Sequence, residues 1–248
     1  MSTNHPKIGV TERGDAATDL SWVAKLPTVD GCVVITKNPT HPKVHEALLE
    51  NAHKCMLHAT ITGWGGSAIE PNVPTWDKSV LAVANLVSRG FPISHVVIRV
   101  DPIMPWNVTP SYNVVCSAYK FGFRRFRFSV LDTYPHMTER FHAAGLGTPS
   151  DLGISKAEGI ARVNDMIAKL RAQYPDIIIE CCAEPTLNAE HCGCVSQKDL
   201  QILGLPCDNI DQVGYQRPAC LCYSGKTELL TNKKRCPHQC LYCYWRDE

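Results

Sequence analysis

Val96-Val97-Ile98-Arg99-Val100-Asp101 is the stretch on which the fold turns. It starts as unbroken β-branched sequence and ends with charges on alternate positions. Side chains alternate across a strand. Val96, Ile98 and Val100 therefore share one face, and Arg99 and Asp101 the other. Five further runs read as strands: 8–10, 32–36, 56–61, 126–131 and 177–181. Helical stretches lie between them at 20–26, 42–53, 75–89, 110–119 and 155–174. Pro42 follows His41, Trp76 follows Thr75, and Ser155 precedes Glu158 as a capping box. Alternating strands and helices with near-continuous apolar strands indicate a parallel sheet covered by helices. Six such units curl into a partial (β/α)6 TIM-like barrel. An open flavodoxin-like sheet is the alternative.

The polar alternation recurs. Thr36 and Asn38 share a face, as do His58, Thr60 and Thr62. So do Arg125, Arg127 and Ser129, and then Glu180, Cys182 and Glu184. The other face carries Val33, Ile35, Leu57, Val96, Ile98, Phe126, Phe128 and Ile179. The apolar face should meet the helices and the polar face should line the interior. Charges there are costly unless they meet water, partners or a ligand. Arg99 with Asp101 or Glu180 is one way they satisfy one another. The C-terminal ends of barrel strands are where such enzymes place their sites.

The chain has 248 residues and a net charge of +1, so it carries no global attraction to nucleic acid or membrane. No apolar run reaches the roughly 18 residues of a spanning helix, and residues 1–7 lack an apolar signal core. A cytoplasmic location is expected. Of thirteen cysteines, ten fall between Cys181 and Cys243. In a reducing compartment such a cluster reads as metal ligation rather than disulfides. The reading divides at residue 184, with a barrel over 1–184 and a Cys-rich extension over 185–248.

That extension ends in Cys236-Pro-His-Gln-Cys240-Leu-Tyr242-Cys243, a C-x3-C-x2-C motif with an aromatic before the third cysteine. Three thiolates at this spacing suit a [4Fe–4S] cube with one iron left open, whereas four would close it. Short Cys pairs are also zinc ligands. The motif resembles that of radical S-adenosylmethionine (SAM) enzymes, which usually carry it near the start of the chain. Near end-to-end pieces resemble the bacterial family labelled domain of unknown function 1848. They are Thr11-Glu-Arg13-Gly-Asp15, Thr36-Lys-Asn-Pro39, Thr62-Gly-Trp-Gly65, Ile69-Glu-Pro-Asn72, Arg99-Val-Asp101-Pro-Ile103, Ser129-Val-Leu-Asp132, Cys182-Ala-Glu184 and Gln216-Arg217. The departures are Val100, where the family tends to an aromatic, and extra cysteines at Cys181, Cys192 and Cys207.

The resemblance implies a (β/α)6 barrel with cluster and SAM at its top, and a tail that brings the late motif to the mouth. Cys236, Cys240 and Cys243 would hold the SAM cluster, with Tyr242 near the adenine. Thr36, Asn38, Arg99 and Asp101 are the expected SAM-binding residues. Arg13, His58, Arg125, Arg127, Ser129 and Glu184 are left for substrate. Cys182, Cys194, Cys220 and Cys222 match four family cysteines and make a second set, for an auxiliary [4Fe–4S] cluster or zinc. Cys192 is a substitute for Cys194. Cys181, Cys32, Cys55 and Cys116 read as buried apolar residues.

Reductive cleavage of SAM gives a 5′-deoxyadenosyl radical, so hydrogen abstraction by an isomerase, mutase or lyase is expected. A flavodoxin or ferredoxin would supply the electron. Arg125 and Arg127 suggest an anionic substrate, either a small molecule or a nucleic acid, and a modified thymine in DNA is one option. The tract Arg124-Arg-Phe-Arg127, the run Lys233-Lys-Arg235 and Trp64 in a glycine loop are weak nucleic-acid signals; a packed Trp64 is favoured. The alternative is a non-enzymatic zinc protein contacting nucleic acid or protein.

Overall fold

The structure is a computed structural model that describes residues 5–207, 220–230 and 236–244. Gln216-Arg217 and Lys233-Lys-Arg235 lie outside the described residues. All six expected strands are present: β1 (Ile8–Val10), β2 (Gly31–Thr36), β3 (Cys55–Thr60), β4 (Val96–Ile103), β5 (Arg125–Val130) and β6 (Ile178–Cys182). Two more, β7 (Glu190–Cys192) and β8 (Lys226–Glu228), complete one parallel sheet of eight. Its order is β7-β6-β5-β4-β3-β2-β1-β8, and it curls into part of a barrel. A flavodoxin-like sheet reverses direction after its first strand. The sequential order from β1 to β6 excludes that alternative.

The segment after residue 184 is threaded into this sheet rather than hung from it. β7 extends the edge beside β6, and β8 pairs with β1 through Ile8↔Lys226 and Val10↔Glu228. Both strands are three residues long, too short to show alternation in sequence.

The helices are α1 (Ser21–Lys25), α2 (Pro42–Glu50), α3 (Trp76–Ser88), α4 (Thr109–Lys120), α5 (Pro135–Ala143), α6 (Lys156–Gln173) and α7 (Gln197–Ile202). The capping box at α6 forms as read: Ser155 Oγ accepts from Glu158 N, and Glu158 accepts from Ser155 N at 2.8 Å. α5 was not expected. It buries only Met137 and Phe141, an i, i+4 pair within a polar sequence.

The convex face follows the expected pattern on β3 to β6. Leu57, Ile98, Val100, Phe126, Phe128, Ile179 and Cys181 are buried with Leu48, Val83, Val114 and Ile167 from the helices. β2 runs in the opposite phase. Val33 and Ile35 face inward and pack with Ile8, Val10, Val195, Leu200 and Tyr223, while Val34 faces the helices. The register decides this, because Ile35 pairs with His58 and Thr36 with Ala59. Thr36 accordingly shares the phase of Val34 and not of the polar interior.

The concave face thus has an apolar half on β1–β2 and a polar half on β3–β6. Helix α7 lies against both. Its Leu200 covers the apolar half. Its Asp199, wholly buried, joins the charges: Arg125 Nη1 lies 2.7 Å from Asp199 Oδ1 and Arg125 Nε 2.7 Å from Glu180 Oε1. Arg127 Nη2 is 2.7 Å from Glu180 Oε2, and its Nη1 donates to Cys194 O at 3.0 Å. Burial acts to raise the Asp199 carboxyl, but Arg127, His58 and Arg125 hold it well below the usual range. Among the described residues, no helix is long and apolar enough to cross a membrane.

Candidate metal centres

The terminal cysteines are seated at the C-terminal end of the sheet by the loop that follows β3. That loop is shaped by glycines. A Cβ at Gly65 would lie 2.0 Å from Pro74 O, and Gly63 holds φ +95°. The turn presents Glu70, which is wholly buried. Glu70 accepts from Thr62 Oγ1 at 2.7 Å, from Lys37 Nζ at 3.1 Å, and from the Tyr242 hydroxyl. Backbone bonds complete the seat: Leu241 N donates to Ile69 O at 3.0 Å, and Asn72 Nδ2 donates to Pro237 O at 2.7 Å. Arg140 Nη1 of α5 donates to Cys243 O at 2.9 Å. Leu241 packs with Ile69, Met104, Met137 and Phe141, and Trp64 packs against the same cluster.

Between the first two cysteines, His238 Nε2 stands 3.1 Å from Asp15 Oδ2, with both side chains buried. Asp15 also accepts from Thr36 Oγ1 at 2.7 Å and Lys37 N at 2.6 Å. Burial pushes the Cys236 thiol up to about 11 and the Cys240 thiol up to about 12. The positive charge of Lys37 works against that rise at Cys240. Lys37 Nζ also sits 5.1 Å over the Tyr242 ring.

The second set gathers in the interior. Cys182, Cys194, Cys220 and Cys222 form one buried cluster. Cys182 Sγ is 3.5 Å from Cys194 Sγ, and Cys194 N donates to Cys222 Sγ at 3.2 Å. Gly193 makes the approach possible, since a Cβ there would meet Cys222 Cα at 2.4 Å. Bonds from Cys182 and Cys194 bring the Cys222 thiol well below its ordinary range. Ala183 adopts φ +56°, a sparsely populated region for a residue with a side chain. A cavity of about 90 Å³ is lined by these four cysteines with Glu12, Arg99, Asp101, Ser129 and Ala183. Among the described residues, no three Cys, His, Asp or Glu side chains converge closely enough to hold a single metal ion as they stand. Cys192 is turned away: its Sγ lies 3.8 Å from Glu180 Oε2, and burial raises its thiol far above the ordinary range.

The remaining expected site residues divide. Arg99, Asp101 and Ser129 line the cavity, and Glu184 accepts from Ser129 Oγ at 3.2 Å. Tyr242 stands with the terminal set. Thr36 is bound to Asp15, and Asn38 accepts from Thr40 Oγ1 at 2.6 Å. Arg13 is exposed, and the cavity takes its neighbour Glu12 instead. Arg125 and Arg127 meet Glu180 and Asp199 rather than open space. His58 is wholly buried, 3.8 Å from Asp199, and burial brings it down to about 4. Lys37, Glu70 and Glu12 were missed, although each lies inside a quoted sequence piece. The inverted phase of β2 hid Lys37.

A family model described as a domain of unknown function, DUF1848, matches residues 17–245. The chain belongs to the DUF1848 family. The matched span contains both cysteine sets and the Glu70 loop. No curated protein matches the chain.

Proposed function

We propose that this DUF1848 chain is a radical SAM enzyme, with a [4Fe–4S] cluster on Cys236, Cys240 and Cys243 and a second metal centre on Cys182, Cys194, Cys220 and Cys222. The observation that carries this is the clamping of the three-cysteine turn to the C-terminal end of a parallel sheet through Glu70. This is the end at which barrel folds hold their chemistry. The donor set fits: three thiolates on a cube leave one iron open. Burial favours the protonated thiols at Cys236 and Cys240, and metal binding would release those protons. When bound, cluster and SAM supply a 5′-deoxyadenosyl radical that abstracts hydrogen from the substrate.

The chain's own residues do the positioning. Glu70 fixes the Tyr242 hydroxyl and so the face of its ring. Lys37 places a positive charge beside Cys240, and Asp15 orients His238. Arg125 and Arg127 of β5 are paired with Glu180 of β6 and Asp199 of α7 in the buried interior. Ser129 and Glu184 remain for substrate. The two arginines that suggested an anionic substrate are occupied by the chain's own carboxylates. A flavodoxin- or ferredoxin-type donor is the expected reductant.

A zinc site is the second reading for the interior set. Its specific support is one edge, the 3.5 Å between Cys182 and Cys194 sulfurs, near the roughly 3.8 Å edge of a sulfur tetrahedron with Zn–S of about 2.3 Å; Cys220 and Cys222 would have to close in to complete it. Anaerobic purification with assay of iron, sulfide and zinc, followed by SAM cleavage under dithionite, tests both. About eight irons indicate two cubanes; about four irons with one zinc indicate the mixed protein. Zinc without sulfide, and no 5′-deoxyadenosine, would end the radical SAM reading.

A further inference from the structure

Arg99 was expected among the SAM-binding residues, where a guanidinium would pair with the SAM carboxylate. Its surroundings point elsewhere. It is 7% exposed, lines the cavity beside the four interior cysteines, and has its Nη2 on Asp101. Its Nε is buried and, among the described residues, meets no acceptor. A buried guanidinium N–H without a partner is costly. Glu12, Asp101, Cys182 and Cys194 line the same cavity around Arg99. Lys226 of β8 has the same arrangement. Its Nζ is 2.8 Å from Oε2 of Glu12, which lines the same cavity as Cys194 and Cys222. Two cations thus flank one group of thiols, each oriented by its own carboxylate.

Four thiolates around Zn²⁺ carry a net charge of −2, and so do four thiolates around a [4Fe–4S]²⁺ core. Either centre needs positive charge and N–H donors close to sulfur in a buried site. We propose that Arg99 and Lys226 are the outer-sphere partners of the interior metal centre, and that Arg99 serves this centre rather than the SAM carboxylate. Arg99 acts through the sulfur atoms as a positioning residue. Where the centre is an iron–sulfur cluster, added positive charge and N–H donors favour the reduced, more negative state and raise its potential. The inference rests on the reading that both cysteine sets hold metal.

The test uses the full chain, reconstituted anaerobically, as wild type, Arg99→Gln, Arg99→Lys and Lys226→Met. Three quantities are read for each: metal and sulfide per chain, midpoint potentials by EPR-monitored titration, and SAM Kd by equilibrium dialysis. Arg99→Gln should lower the potential of one centre, or release that centre's metal faster to a chelator. SAM Kd should stay within about twofold. Arg99→Lys should restore part of the loss, and Lys226→Met should move the same centre in the same direction. A tenfold or larger rise in SAM Kd for Arg99→Gln, with both centres unchanged in metal and potential, overturns the proposal and returns Arg99 to SAM. A wild-type chain that takes up no metal on either set fails the underlying reading instead, and is recognised before any variant is compared.

Discussion

Glu70 shows how much one carboxylate can hold. It is wholly buried, yet it accepts from Thr62, Lys37 and Tyr242. Glu70→Gln keeps the shape but removes the charge facing Lys37, and breaking a buried pair costs about 3–5 kcal/mol. The expected result is loss of the terminal iron, with about half of the total iron retained on the interior set and at least a tenfold fall in SAM cleavage. Iron assay beside circular dichroism checks it; unchanged iron would show that Glu70 does not seat the motif.

His58 sets a pH dependence. Burial brings its folded value down to about 4, against roughly 6.5 in an unfolded chain. The native state therefore favours neutral imidazole. Its contribution is complete above pH 6.5 and is lost as pH falls toward 4. Asp199 and Glu180 act in the same direction at lower pH, since both are held below their ordinary values. Glu12, raised by burial to about 7, works in the opposite sense over the same range, so the test is the difference between proteins: from pH 7 to 5 the melting temperature of His58→Asn should lose less, or gain more, than that of wild type. Parallel profiles for the two proteins would contradict it.

Among the elements, α7 is the least expected and the most constrained. Six residues long, it places Asp199 between Arg125 and Arg127 and Leu200 against β1–β2. Asp199→Ala leaves two buried guanidiniums short of a partner and should cost about 3–5 kcal/mol in urea unfolding. Two glycine substitutions separate the centres. Gly193→Ala pushes a methyl against the Cys222 backbone and should empty the interior set alone. Gly65→Ala drives one into Pro74 O and should disturb the terminal set alone. Metal analysis of each protein distinguishes them, and loss of both centres in either would argue against separate sites.

The same elements show what was legible. Long strands with clear alternation, such as Val96–Ile103 and Arg125–Val130, were read with their faces correct. β2 misled because Cys32 to Ile35 are all apolar, so only the later Thr36 offered a phase, and it bonds to Asp15 on the helix side. α7, β7 and β8 are too short for any period to emerge. The cysteine groupings were visible as spacing and as resemblance. The cradle around them was not, because Glu70, Lys37 and Glu12 gain meaning only when distant loops meet.

At the scale of the whole molecule, the first strand and the last described strand are brought together. β8 hydrogen-bonds beside β1, Glu228 Oε2 accepts from Glu12 N and Arg13 N, and Tyr223 Oη donates to Pro6 O at 2.8 Å. These contacts span more than two hundred residues: Glu12 to Glu228 alone is a separation of 216. Contacts between distant parts of the chain are late and slow to form. The strands from β1 to β6 can pair with neighbours in sequence order, but neither group of cysteines is whole until the region past residue 219 has arrived.

That ordering bears on biosynthesis. A nascent chain emerges from its N-terminal side and can fold progressively. While Cys222 and Cys243 are still within the ribosome, the half-built barrel offers at most Cys182 and Cys194 of the interior group and nothing of the terminal one. Any metal that needs a complete group of these cysteines would therefore have to be taken up after the segment past residue 219 has emerged and joined the sheet.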